Sequence, residues 1–200
     1  MLGSLVDWTV PTLEGDLVRL EPLASEHEEG LWDASRDERT WRWLSVLQPQ
    51  TRQEMHDYVE AALANMAAAE EFPLTTIRRQ DGRVVGSTRF LALRPEHLSI
   101  EIGWTWLHPD VWASGINIEA KLLMLEHAFE RLGCLRVELK TDARNERSRA
   151  AMAALPAQFE GVHRKAMLVR GGQRRDSAWY SVIDEEWPAV RANLLRRLGR

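Results

Sequence analysis

Residues 101–129, EIGWTWLHPDVWASGINIEAKLLMLEHAF, join a strand-like alternation, a glycine-containing turn and a long amphipathic helix. The first N–H groups of a helix have no partner inside it, and the macrodipole adds partial positive charge there. A strand that delivers the chain into such a helix builds an anion site suited to phosphate or pyrophosphate. The turn is Val111-Trp112-Ala113-Ser114-Gly115-Ile116-Asn117, in which Gly115 lets backbone approach a phosphate and Asn117 tolerates unusual φ/ψ. No Gly-Lys-Ser/Thr follows the glycine, so this is not a Walker A loop. No G-x-G-x-x-G is present either, and the strand before the turn closes an antiparallel run; both count against a dinucleotide fold.

The flanking elements follow from hydrophobic period and punctuation. Residues 1–15, with Pro11 and Gly15, read as an extended lead-in, and residues 17–23 as a strand at a sheet edge. Ser25 is expected to cap a helix with Glu26, Glu28 and Glu29 in its first turns. Residues 37–47 form a connection carrying Trp41 and Trp43. Thr51 opens the next helix with Glu54 as its capping-box partner, and that helix runs through the alanine-rich residues 58–69 to stop before Pro73. Strands at 74–79 and 84–93 surround a two-residue hairpin signal, Asp81-Gly82. A third strand, 98–107, places Leu98, Ile100, Ile102, Trp104 and Trp106 on one face and Ser99, Glu101, Gly103 and Thr105 on the other.

After Ser114, the spacing of Ile118, Leu122, Leu125, Phe129 and Leu132 makes one apolar helical stripe that Gly133 ends. Residues 134–141 are a short strand reached through that helix, hence a parallel neighbour of the 98–107 strand. A helix at 145–155 ends at Pro156. Strands at 159–169 and 174–183 turn at Gly171-Gly172, and a helix at 185–198 carries Arg196 and Arg197 near its C-terminus. The fold class is therefore α/β (α+β), a mixed, mostly antiparallel sheet of about seven strands flanked by helices, with one central parallel pair and residues 1–200 in one domain.

Composition removes several classes of function. A net charge of -4 gives no electrostatic reason to expect nucleic acid. The single cysteine, Cys134, excludes an internal disulfide and reads as a small apolar residue of a buried strand. No apolar run approaches a membrane span and the first residues lack a basic-then-apolar export signal, so a cytoplasmic protein without a membrane partner is expected. The six histidines share no ligand spacing, and no metal is expected. Nine tryptophans point first to core and interface packing.

The stretch WTWLHPDVWASGINIEAKLLMLEHAFE resembles the acetyl-CoA-binding motif of the GNAT acetyltransferases, most of all the RimJ/RimL-like branch of ribosomal-protein alanine and serine N-acetyltransferases. In that family the pyrophosphate loop is Gln/Arg-x-x-Gly-x-Gly/Ala. Here Trp112 stands at the first position, Gly115 at the first glycine and Asn117 at the second, so two of three positions depart from the general pattern. Trp112, Asn117 and the following Glu119-Ala120-Lys121 match the branch. LKTDARNERSRAAM resembles the next strand and helix, which implies that Asn145 contacts the pantetheine arm and Ser148 serves the leaving thiol. FEGVHRKAML and RDSAWYSV resemble the closing hairpin, and Leu155-Pro156 stands where relatives usually carry Leu-Gly. The resemblance spans residues 15–190.

It implies the GNAT fold and an N-acetyltransferase that moves acetyl from acetyl-CoA to a primary amine, by direct attack in a ternary complex. Cofactor contacts are expected from Trp106, Leu107, Trp112, Ala113, Ser114, Gly115, Ile116, Asn117, Asn145 and Ser148. An α-amine has a pKa of about 8, so a carboxylate acting through water suffices as base. Glu101 occupies a position resembling one so used; its alternative is a cross-strand ion pair. Ser148 is the matching proton donor, with an exposed helix residue as its alternative, and Asn145 is alternatively only an N-cap. Backbone N–H groups near Trp106 and Leu107 are expected to meet the oxyanion. Trp41 and Trp43 are the expected aromatic contacts of the acceptor, either a protein N-terminus or a small molecule, with a homodimer left open. The Arg164–Arg175 region reads as a solvated hairpin rim or a contact for the cofactor's 3′-phosphate. Two rivals remain: a non-catalytic acyl-CoA-binding sensor, and an acyltransferase with another acyl donor or an aminoglycoside-like acceptor.

Overall fold

The computed structural model describes residues 8–200, and residues 1–7 of the expected lead-in lie outside them. The strands are β1 Leu13–Glu14, β2 Val18–Pro22, β3 Phe72–Arg78, β4 Val84–Arg94, β5 Ser99–Leu107, β6 Arg136–Asp142, β7 Gln158–Val169 and β8 Gln173–Ile183. The helices are α1 Glu28–Ala34, α2 Arg52–Ala67, α3 Ile116–Glu126, α4 Glu146–Ala154 and α5 Trp187–Arg197. One sheet of eight strands takes the order β1-β2-β3-β4-β5-β6-β8-β7, and only β5 and β6 run parallel. The strand beyond the expected seven is β1, which pairs Leu13 with Leu20 and Glu14 with Arg19. β2 is therefore partly covered rather than a free edge.

Local signals explain most boundaries. Thr51 Oγ1 accepts the Glu54 N–H at 3.1 Å and Glu54 returns its carboxylate to the Thr51 N–H at 3.3 Å, so α2 begins with the expected capping box. Ser25 caps nothing. A 3₁₀ turn at Ser25–His27 precedes α1, and His27 Nδ1 accepts the Ala24 N–H at 3.1 Å. The β3–β4 hairpin closes over residues 79–83 rather than on two residues, with the Arg78 N–H donating to the Arg83 carbonyl at 2.9 Å and Gly82 at φ +71°. α4 exits through Pro156 at φ +20°, where the glycine of relatives would sit without strain.

The alternation expected along β5 holds only to Ile102. Trp104 sits at φ +50° and the register against β4 slips between Ser87 and Arg89, which marks a β-bulge. A bulge moves every later side chain to the other face. Ile100 and Ile102 accordingly join the main core with Leu122, Leu125 and Val137, whereas Trp106 joins a second cluster with Trp41, Met55 and Val59 beneath α1 and α2.

One buried carboxylate fixes where α3 begins. Glu119 is 0% exposed and accepts the N–H groups of Asp16 (3.1 Å), Leu17 (2.6 Å) and Val18 (2.8 Å), while Arg200 pairs with its other edge. A Cβ at Gly15 would collide with this carboxylate, so glycine is needed there. The first turn of α3 is thus tied to the β1–β2 turn and to the end of α5. No helix among the described residues is long and apolar enough to cross a membrane.

Burial alone raises the Glu119 pKa, but Arg200 and the three backbone donors outweigh it and hold the carboxyl below its ordinary value. Its contribution is complete above about pH 4.3, the unfolded glutamate value, and is lost as pH falls through the lower folded one. Glu119→Ala is expected to lower stability by about 3–5 kcal/mol, read as a fall in urea midpoint at unchanged slope. Glu119→Gln should lose less, and its gap from the parent should close in acid. A midpoint unmoved by Glu119→Ala would contradict the clamp.

Candidate active site

The parallel pairing of β5 with β6 is short: Ser99 with Arg136, Ile100 with Val137, Glu101 with Glu138. Beyond Glu101, β5 leads to the α3 turn and β6 to α4, so the strands part and the facing backbone edge of β5 is left without a ladder partner. A cavity of about 460 Å³ fills the gap, lined by residues 101–107 of β5, Trp112, Gly115 and Asn117 of the turn, Lys140 and Thr141 of β6, and Asn145 and Ser148 of α4.

The turn has the features of an anion site. Ala113 and Gly115 sit at φ +60° and +88°, and the N–H groups of Ala113, Gly115, Asn117 and Ile118 reach no carbonyl of the described residues. Asn117 Oδ1 is buried without a partner. Ser114 Oγ donates to the Val111 carbonyl at 2.6 Å, which braces the turn, and Ile116 is buried, so neither side chain is free to reach a ligand. Trp112 Nε1 donates to the Leu107 carbonyl at 2.9 Å and ties the end of β5 to the turn. The Arg147 guanidinium lies 3.5 Å over the Trp112 ring and that of Arg39 5.6 Å from it. Neither arginine is evident from the sequence, because each faces the turn only through the ring of the half-buried Trp112.

The other expected residues divide between site and scaffold. Asn145 caps α4: its Oδ1 accepts the Ser148 N–H at 3.2 Å and its Nδ2 donates to Thr141 Oγ1 at 3.2 Å, which occupies both ends of the amide. Ser148 is half-buried and faces the cavity, with no hydrogen bond from its hydroxyl among the described residues. Glu101 is 1% exposed, lines the same cavity and pairs with Lys140 Nζ at 2.9 Å, so the ion pair exists inside the site. Burial raises the Glu101 pKa against the lowering effect of Lys140. Trp41 is buried, donates Nε1 to the Ser35 carbonyl and packs 5.1 Å from Trp106 and 5.8 Å from Tyr58, a core role that leaves only an edge at the surface. Trp43 is half-buried and lines the cavity.

The hairpin arginines are not one solvated rim. Arg164 and Arg174 are exposed, but Arg175 is buried and lines the cavity. A second concavity of about 770 Å³ lies beside the first, between the connection after α1, helix α2 and the bulge, with Trp41, Tyr58, Arg89 and Trp104 in its walls. Trp104 belongs to both, so the bulge is their common partition. Lys121 was also missed. It lies on α3, lines the cavity, and donates from Nζ to Thr105 Oγ1 at 2.9 Å, which is 2.7 Å from Thr88 Oγ1. Burial pushes its amine down to about 7, and none of the described carboxylates pairs with it.

Comparison with known proteins identifies the family of the chain. Residues 18–157 match the family model described as an acetyltransferase (GNAT) domain. The chain is similar to a GCN5-related N-acetyltransferase from Brucella melitensis, at 32% identity over 92% of this chain and 84% of that one, with a TM-score of 0.87. It is also similar to the uncharacterized N-acetyltransferase YoaA of Bacillus subtilis (strain 168), at 22% identity over 86% of this chain and 97% of that protein. RimL, a ribosomal L7/L12 alpha-N-protein acetyltransferase, superposes with a TM-score of 0.76 at 19% identity over 88% of this chain and 95% of that one, which shows the fold alone.

The folded state lowers the Lys121 pKa to about 7, whereas an unfolded lysine titrates near about 10.4. Between those values the unfolded chain binds more protons, so stability rises with pH across the window. Lys121→Met should flatten that rise and raise the urea midpoint at pH 7. A parent whose midpoint falls between pH 7 and pH 9 more than the variant's would contradict a buried, depressed amine.

Proposed function

The chain belongs to the GNAT acetyltransferase family, and on that premise we propose that it is an acetyl-CoA-dependent N-acetyltransferase acting on a primary amine, with residues 1–200 as one catalytic domain. The observation that carries this reading is the continuity of one cavity from the α3 turn to the parting of β5 and β6. The residues fit the cofactor. Unpaired N–H groups at a helix start suit a pyrophosphate, Arg147 and Arg39 add charge beside them, and the unladdered edge of β5 offers donors and acceptors to an amide-bearing arm. Asn117 Oδ1, buried without a partner at the same place, is an acceptor for an N–H or O–H of the cofactor rather than for its phosphates. Bound there, acetyl-CoA supplies an acetyl group activated as a thioester.

The chain's own residues do the rest. Glu101 takes the proton that the attacking amine loses, through water, and its raised pKa makes it a better base than an exposed glutamate. The backbone N–H on the free edge of β5 near Trp106 and Leu107 steadies the carbonyl oxygen as the N–C bond forms and the C–S bond breaks. Ser148 is placed to return a proton to the leaving sulfur. The acceptor approaches across Trp104, with Trp43 as a contact in the same cavity and the buried Trp41 bordering the neighbouring concavity. The attack is direct, and Cys134 is not an acyl carrier: it is buried and its thiol is pushed up to about 12 by burial, which keeps it a thiol.

Acetyl-CoA with a panel of amines and peptides is expected to release thiol only when an acceptor is present, with no burst in its absence. Glu101→Gln is expected to lower kcat by about 10²–10⁴ while the Kd for CoA stays within about twofold. An unaltered kcat would remove Glu101 from the chemistry.

A further inference from the structure

Three side chains on one face of β8 each carry a buried polar atom without a hydrogen-bond partner among the described residues. Strand alternation puts Arg175, Ser177 and Trp179 on the same side, and Arg175 Nε, Ser177 Oγ and Trp179 Nε1 are all buried with no hydrogen-bond partner. Arg175 is 6% exposed and Ser177 1%. Two of the three groups only donate and the hydroxyl also donates, so the set calls for an acceptor. The neighbouring carboxylates are already engaged. Glu101 is held by Lys140 at 2.9 Å, and Asp142 by Arg144 at 2.9 Å with Arg170 at 3.7 Å. The side chain of Arg175 forms no ion pair with any described residue, and burial holds its guanidinium below its ordinary value.

A buried guanidinium without a counter-ion is costly, and natural proteins pair such groups or give them a ligand. Among the charges on this face, Lys140 pairs with Glu101, and Arg144 and Arg170 pair with Asp142, which leaves Arg175 without an anion of its own. Val137 and Leu139 of β6 turn toward α3 in the main core, whereas Lys140 and Asp142 alternate to the opposite face with Arg175. The sheet therefore stands between Arg175 and the helix that would hold the phosphates of a donor. Yet Arg175 lines the same cavity as Glu101 and Ser148, reached through the parted strands. We propose that Arg175 binds a carboxylate carried by the acceptor itself, so that the amine acetylated here belongs to an amino acid or to an acidic peptide N-terminus. This rests on the acetyl-transfer reading above and narrows its acceptor. A bidentate guanidinium–carboxylate contact would orient the amine toward Glu101 and exclude uncharged amines.

The test uses binding as well as turnover. With CoA present, calorimetry compares N-acetyl amino acids with their methyl amides, and N-acetyl peptides bearing Asp or Glu at the second position with their Asn or Gln counterparts. At least one carboxylate is expected to bind tenfold or more tightly than its neutral partner, and the arm in which this occurs tells a free amino acid from a peptide. Arg175→Met should erase that preference, leave CoA affinity within twofold, and keep or raise the Tm, because an unpaired buried charge has been removed. Arg175→Lys should restore part of the preference. Equal binding of acids and neutral partners by the parent overturns the proposal. So does a fall in Tm on Arg175→Met with carboxylate preference intact, which would assign the residue to the fold. Carboxylate binding lost in Arg175→Met, together with no thiol release on any amine, would uphold this site and contradict the acetyl-transfer reading instead.

Discussion

The parting of β5 from β6 after three residue pairs is the constraint on which the rest of the structure depends. A parallel pair normally continues its ladder, because unpaired backbone groups inside a protein are expensive. Here two devices end it. The bulge at Trp104 re-aims the second half of β5, and the Asn145 cap turns the chain into α4 directly after β6. The groups left over are the ones a ligand with amide bonds satisfies. The cavity is thus built from unmade backbone bonds, and its rim from the first turns of two helices whose N-termini converge.

Such a gap holds its shape only if its walls are held from outside. Glu119 does this for α3 by collecting three backbone donors of the β1–β2 turn and one arginine of the C-terminus. Segments 81 to 103 residues away in sequence therefore set the position of the turn that opens α3. On the other wall, Asp142 draws in Arg144 and the half-buried Arg170, and Arg170 donates to the carbonyls of Arg42 and Leu44. That links the closing hairpin to the connection carrying Trp43. The cations inside the gap differ in role: Lys140 is neutralised by Glu101, Lys121 avoids a counter-ion by losing its proton near neutral pH, and Arg175, which cannot deprotonate, is left charged.

The order of elements and the parallel pair were legible in the sequence, because each rests on local signals: alternation, capping residues, a glycine turn. Thr51–Glu54 and the stripe from Ile118 to Leu132 are examples. What escaped was set by pairing between distant strands. The bulge at Trp104 sits inside a run that alternates without a flaw, so nothing local announces that Trp106 changes face. Lys121 stands one position from the apolar stripe and reads as a solvated helix residue until Thr105 and Thr88 are seen beneath it. Arg175 was grouped with the exposed arginines of its hairpin, since neither its burial nor its lack of a partner has a signature in sequence. Glu101 shows the opposite limit: base and ion pair were alternatives in the sequence, and the structure gives it a partner without removing it from the cavity.

The most direct measurement is a crystal structure with CoA bound. The pyrophosphate should lie against the backbone amides of residues 112–117, with the pantetheine arm entering between β5 and β6 and the thiol near Ser148. A pyrophosphate bound anywhere else, or an arm that leaves the gap between the two strands empty, would contradict the account.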